Sequence, residues 1–145
     1  MDWKNNLLED DARIGELLRG AKRIAVLGIK TQAQSSQPAY YVPEYLKRAG
    51  YELIPVPVYY PEATEILGAQ VYRRLLDIPG EIDLVDVFRR PQDIPAHLPD
   101  LLAKKPRAVW FQQGIRNDEA ARALAEAGVL VVQDRCIMVE HRHFA

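Results

Sequence analysis

Cysteine is nearly absent. Cys136 is the single one among 145 residues, so no internal disulfide can staple the chain, and its stability must come from a packed core. Charge of one sign is lacking as well: 19 Lys and Arg face 20 Asp and Glu, for a net charge of -1. No basic field gathers a polyanion, which argues against nucleic acid as a partner, and an anionic ligand has to be held by local groups. Long apolar runs are missing too. Stretches such as Val129 to Val132 fall far short of the roughly 20 residues needed to cross a bilayer. No charged-then-apolar leader precedes Asp2, Lys4, Asn5 and Asn6, so the expected compartment is the cytoplasm.

Familiar chemical signatures are also missing. After Gly28 no glycine follows until Gly50, so the three spaced glycines of a dinucleotide fingerprint are absent and ordinary NAD binding is disfavoured. No GxxxxGK[ST] run occurs, which disfavours nucleotide hydrolysis. His141 and His143 stand two apart beside Glu140, without the CxxC or HExxH spacing of a metal site, and no metal is expected. Spacing assembles no Ser/His/Asp set and no helix-borne carboxylate pair. The expectation is binding without autonomous catalysis.

What is present is the balance of an ordinary globular protein, 48% hydrophobic and 27% charged, at a length that suits one domain. Its segments alternate. Asn6 to Gly20 has apolar residues at helical spacing, with acids early and Arg19 late. Arg23 to Ile29 is an apolar run too short for a helix, which suits a strand covered on both faces. A polar loop from Lys30 to Gln37 leads into a helix over Pro38 to Gly50. Tyr51 to Val56 reads as a second strand, and Pro55 to Pro61 as an exposed, rigid loop. Glu65 to Gln70 is irregular, Val71-Tyr72 is assigned a short strand, and Arg73 to Ile78 a short helix or turn. Then come a strand over Asp83 to Phe88, a helix over Ile94 to Lys104, and a strand over Ala108 to Gln112. Asn117 caps a further helix to Ala127, Gly128 stops it, and Val129 to Gln133 is the last strand. The expected domain layout is an N-terminal helix in residues 1–22 and a core in 23–141. Such alternation implies a doubly wound α/β fold with a mostly parallel sheet.

Ligands of doubly wound sheets collect at the carboxyl ends of the strands, which nominates three loops. In the first, Gly28 permits close backbone approach, and Ser35, Ser36 and Gln37 offer donors just before Pro38 opens a helix whose amino end favours anions. The same residues read equally well as a helix cap and first turn. The second, Phe88-Arg89-Arg90-Pro91, joins an aromatic ring, two permanent cations and a rigid proline. The third follows Trp110 and Phe111, which belong in the core, and offers Gln112, Gln113 and Gly114 to an amide-containing ligand. Pro43 conflicts with a helix from Pro38, because an interior proline costs roughly 3 kcal/mol, so that helix is expected to bend or start later. Cys136 follows Asp134 and Arg135; a nearby cation would activate its thiol, whereas an inert buried cysteine is the commoner case.

Taken together, Val26-Leu27-Gly28, Glu65-Ile66-Leu67-Gly68, Asp83 to Pro91, Trp110 to Ile115 and Asp134-Arg135-Cys136 resemble the small stand-alone coenzyme A-binding proteins. These are similar to the coenzyme A-binding domain of succinyl-CoA synthetase. The resemblance runs from about Arg23 to about His141. It implies a Rossmann-like, three-layer fold holding coenzyme A across the strand ends, with phosphates near Gly28, Ile29, Lys30 and Ser35 to Pro38. Pantetheine would lie near Phe88 to Pro91; the residues themselves offer Gln113-Gly114 to an amide-containing ligand and the apolar corner at Pro57 to adenine. Where many members of the family have Gly-Ala-Ser after the first strand, this chain has Gly28-Ile29-Lys30. On this reading the protein binds coenzyme A or an acyl-CoA as a carrier, sensor or partner subunit. A small NAD(P)-binding oxidoreductase or redox sensor is the alternative, opposed by the missing glycines and by a second strand ending in Val56-Pro57 instead of an acid. An interaction domain with a patch at Tyr59 and Tyr60 is a third reading.

Overall fold

The computed structural model describes residues 2–144. Five parallel strands form one sheet: β1 (Arg23–Leu27), β2 (Glu52–Val56), β5 (Leu84–Val87), β6 (Ala108–Phe111) and β7 (Leu130–Val132), in the spatial order β2-β1-β5-β6-β7. Such strands are covered on both faces and therefore read as unbroken apolar runs; all four residues of β6, Ala108, Val109, Trp110 and Phe111, are fully buried. One face of the sheet packs on α1 (Asp11–Gly20), α2 (Pro38–Arg48) and α5 (Ile137–Phe144), through Ile14, Leu18, Val42, Leu46 and Ile137. The other packs on α3 (Ile94–Lys104) and α4 (Asp118–Glu126), through Ile94, Leu101, Ala121 and Leu124. This is the three-layer, doubly wound arrangement expected. The strand order reverses between β1 and β5, and that is where such folds open a crevice.

Several local expectations change. The first helix begins at Asp11, not Asn6, because the Asp10 carboxylate accepts the Arg13 N–H at 2.9 Å and caps it there. Leu7 and Leu8 run instead along the sheet edge: Leu7 bridges Val131, and the Leu8 N–H donates to the Val131 carbonyl at 2.8 Å. Glu65 to Gln70 is a hairpin, β3 (Glu65–Ile66) with β4 (Ala69–Gln70), turning at Leu67 and Gly68 with φ of 53° and 76°. Two successive positive φ values make the tight primed turn that Asn-Gly usually signals, and leucine hides it. Val71-Tyr72 is no strand, although the Tyr72 N–H reaches the Pro55 carbonyl at 3.0 Å. Of the proline loop, Pro55 and Pro57 are buried while Val58 and Tyr59 are exposed. Helix α5 had no counterpart in the sequence reading; its Glu, Arg and His residues resemble a polar tail. It docks closely on α1, where a Cβ on Gly15 would lie 2.7 Å from the Phe144 carbonyl oxygen.

Pro43 leaves α2 intact, and the helix starts at Pro38. A proline cannot donate to the carbonyl four residues back, here that of Ala39. That carbonyl accepts the Lys30 N–H at 3.1 Å. The interior proline thus frees the acceptor that ties the first βα loop to its helix, which offsets part of its cost.

Candidate functional site

At the carboxyl ends of β1, β5 and β6 lies a cleft of about 470 Å³, walled by all three nominated loops. From the first come Lys30, Gln37 and Pro38; from the second Phe88, Arg89, Arg90 and Pro91; from the third Gln113 and Gly114. These nine residues, each expected from the sequence to contact the ligand, border one cavity. Gln112, offered by the same third loop, completes the wall with Ala39, Tyr41, Val42, Ile115 and Cys136, which the sequence does not single out as ligand contacts. Gln112 and Ile115 stood in a motif already singled out. Cys136 lies some twenty residues along the chain, and only the fold of the last loop places it there.

The remaining nominees sit apart. Gly28 serves the protein's own packing: with φ of 88°, an added Cβ would lie 2.4 Å from the Phe88 carbonyl oxygen. Its close approach is to the second loop, and its N–H donates to the Val56 carbonyl at 2.9 Å. Ile29 is buried at 2% exposure in the apolar core. Ser35 and Ser36 are exposed, and neither caps α2, whose N-cap is Gln37 with no capping bond from its side chain. An uncapped helix amino end therefore faces the cleft through Gln37, Pro38 and Ala39, which leaves positive potential for an anion. Pro57 is buried and lines a second, smaller hollow of about 170 Å³ with Leu27, Val56, His97 and Asp100.

Arg89 separates the two hollows. Its side chain, 15% exposed, donates from Nε to His97 Nε2 at 3.1 Å, lies 3.6 Å from Asp93, and stacks on Tyr59 at 5.6 Å. The His97 that accepts is neutral; burial and then the Arg89 charge hold its pKa below the usual 6.5. Arg90 is 70% exposed and pairs with Asp93 at 2.8 Å. That hydrogen bond, before any other influence, keeps the Asp93 carboxyl below its ordinary range. Lys30 bonds the Gln37 side-chain carbonyl across the first loop. Arg89 is thus built into the wall, whereas Arg90 and Lys30 lie at the cleft's surface, held by Asp93 and Gln37.

The third loop is pinned from several sides. The Gly114 N–H donates to Asp134 Oδ1 at 2.6 Å, Trp110 Nε1 to the Arg135 carbonyl at 2.8 Å, and the Ile137 N–H to Gln112 Oε1 at 3.0 Å. Arg135 turns away from the cleft to Asp11, Glu140 and the Glu9 carbonyl, so it brings no bare cation to Cys136. A larger hollow of about 740 Å³ lies at the outer sheet edge beside β7, under Trp3 and Leu7. Its arginines, Arg116, Arg122 and Arg135, are each paired with a carboxylate. The switch-point cleft, with an uncapped helix end and free amides, is the better ligand site. Among the described residues no group of three or more metal-ligating side chains comes together, and no helix is long and apolar enough to cross a membrane.

Fold and cleft together define a doubly wound α/β domain with a ligand crevice at its topological switch point. Residues 22–142 match the CoA binding domain model, and the chain belongs to that family. It is 38% identical over 130 residues to the uncharacterised protein YneT of Bacillus subtilis, covering 90% of this chain and 93% of that one. A Thermus thermophilus protein of known structure superposes with a TM-score of 0.86 at 43% identity, over 94% of this chain and all of that one. A more distant likeness is to a dinucleotide-forming acetyl-coenzyme A synthetase of Ca. Korarchaeum cryptofilum, with a TM-score of 0.64 at 19% identity. It covers 81% of this chain and 27% of the synthetase, and it speaks to the fold alone.

Proposed function

We propose that this protein binds coenzyme A or an acyl-CoA in the switch-point cleft and acts as a carrier, sensor or partner subunit in the cytoplasm, without catalysis of its own. One observation carries the reading: an uncapped helix amino end, cationic side chains and amide-bearing loops converge on a single cavity at the strand ends. The diphosphate lies at Lys30 and the amino end of α2, where backbone dipole and charge favour an anion. The pantetheine arm runs between Phe88 to Pro91 and Gln112 to Gly114, whose amides match its own. Adenine occupies the hollow beside Pro57, on the far side of Arg89. The second strand ends at Val56 without an acid to hold the ribose of NAD.

The test is a thermal-unfolding series with coenzyme A, acetyl-CoA, NAD, NADP and ATP at fixed salt. A ligand at 100 times its dissociation constant adds about 2.7 kcal/mol, several degrees for a domain of this size. Stabilisation by coenzyme A or acetyl-CoA alone supports the reading. A response confined to NAD or NADP transfers the cleft to the redox alternative.

A further inference from the structure

Resting on the coenzyme A reading above, we propose that Cys136 is a modification site at which the bound ligand's own sulfur chemistry is captured: the thiol exchanges with coenzyme A disulfide to give a Cys136–coenzyme A mixed disulfide.

Three features place this reaction. Cys136, partly exposed, borders the same cleft as Lys30, Phe88 and Gln113. It is held rather than loose, because the residues on either side are anchored: the Arg135 carbonyl by Trp110 and the Ile137 N–H by Gln112. Independently, Gln112 is only 4% exposed, and its Oε1 is spent on Ile137 while its Nε2 donates to nothing among the described residues. That donor lies on the cavity wall with no protein acceptor, so it is available to the amide carbonyl of a pantetheine arm. An arm bound there brings its terminal sulfur into the cavity that Cys136 borders.

The chemistry balances without an outside oxidant. The Cys136 thiol gives its proton to solvent, and its sulfur attacks one sulfur of coenzyme A disulfide. The original S–S bond breaks as the Cys136 S–S bond forms, and the second coenzyme A leaves as a thiolate that takes up a proton. One disulfide is consumed and one is made. Because the chain has no second cysteine, no internal thiol can resolve the product, and the adduct persists until an external thiol attacks it.

The experiment treats the reduced full-length protein with coenzyme A disulfide or glutathione disulfide at equal micromolar concentrations, follows intact mass, and measures coenzyme A binding separately by calorimetry. Held in the cleft, the disulfide has an effective concentration on the order of millimolar. Coenzyme A disulfide should therefore react roughly a hundredfold faster than glutathione disulfide, with a rate that saturates. Excess reduced coenzyme A should slow it, and Cys136→Ser should gain no mass. Equal rates for the two disulfides, without saturation, would mark an ordinary exposed thiol and overturn the inference. Tight coenzyme A binding with no adduct overturns it while leaving the proposed function standing; neither binding nor adduct removes both.

Discussion

Asp86 lies in the central strand β5 at zero exposure, and neither carboxylate oxygen has a hydrogen-bond partner among the described residues. It shares a sheet face with Leu84, in the layer under α1, α2 and α5. Burial alone pushes its pKa well above the usual 3.8, so the folded state keeps the proton where the unfolded chain releases it. The native state then binds more protons over that window, and stability falls as pH rises above about 4, at up to about 1.4 kcal/mol per unit. Asp86→Asn carries no such proton. Its stability relative to the parent should grow with pH, as urea titrations at pH 5, 6.5 and 8 would register; a difference constant with pH would mean that Asp86 does not titrate in that window. The two neighbouring arginines separate at the same scale. Arg89→Ala removes a 15% exposed side chain bonded to His97 and should cost on the order of 1–3 kcal/mol of stability. Arg90→Ala, at a 70% exposed pair, should leave stability nearly unchanged while weakening coenzyme A binding. Unfolding and binding measured on both variants decide it; equal losses of stability would refute the distinction.

At the scale of elements, the parallel strands and α2, α3 and α4 were legible because their signals are local. Apolar runs ended in glycine, and Asn117 stood before two acids at the start of α4, where its side chain does accept the Ala120 N–H at 3.1 Å. What escaped depends on distant partners. The hairpin turn carries Leu67 where Asn would announce it, α5 shows a polar face whose partners are α1 and Tyr45, and Leu7-Leu8 follow the edge of β7. The cleft followed the same division. The three loops that adjoin strand ends border one cleft, Ser35 and Ser36, donors just before a helix, lie outside its wall, and Cys136 reaches the wall only through tertiary hydrogen bonds. One helix end breaks the glycine rule: α3 stops at Lys105, exposed and left-handed with φ of 50°. A Cβ costs about 1 kcal/mol in that conformation, and glycine avoids it at the expense of a more flexible unfolded chain. Lys105→Gly should therefore raise stability by about 0.5 kcal/mol, seen as a small upward shift in Tm; a lower Tm would mean that Lys105 makes a contact worth more than its strain.

For the whole molecule, the cleft draws its walls from segments far apart in sequence, joined by the sheet beneath them and by hydrogen bonds between the third loop and the segment entering α5. A ligand spanning them must be released before any one of those loops can open. At 100 times its dissociation constant it adds about 2.7 kcal/mol to each such opening, so amides that exchange only through it should slow roughly a hundredfold. The affected amides are those of Lys30 to Tyr41, Phe88 to Arg90, Gln112 to Ile115 and the first turn of α5. The edge segment at Leu7-Leu8 borders a different hollow, so coenzyme A should leave its exchange unchanged. Hydrogen exchange with and without coenzyme A reads every loop in one experiment. Protection centred on Leu7, Arg122 and Gln133 would move the ligand to the edge hollow, and protection spread evenly over the chain would indicate that the loops open only with global unfolding.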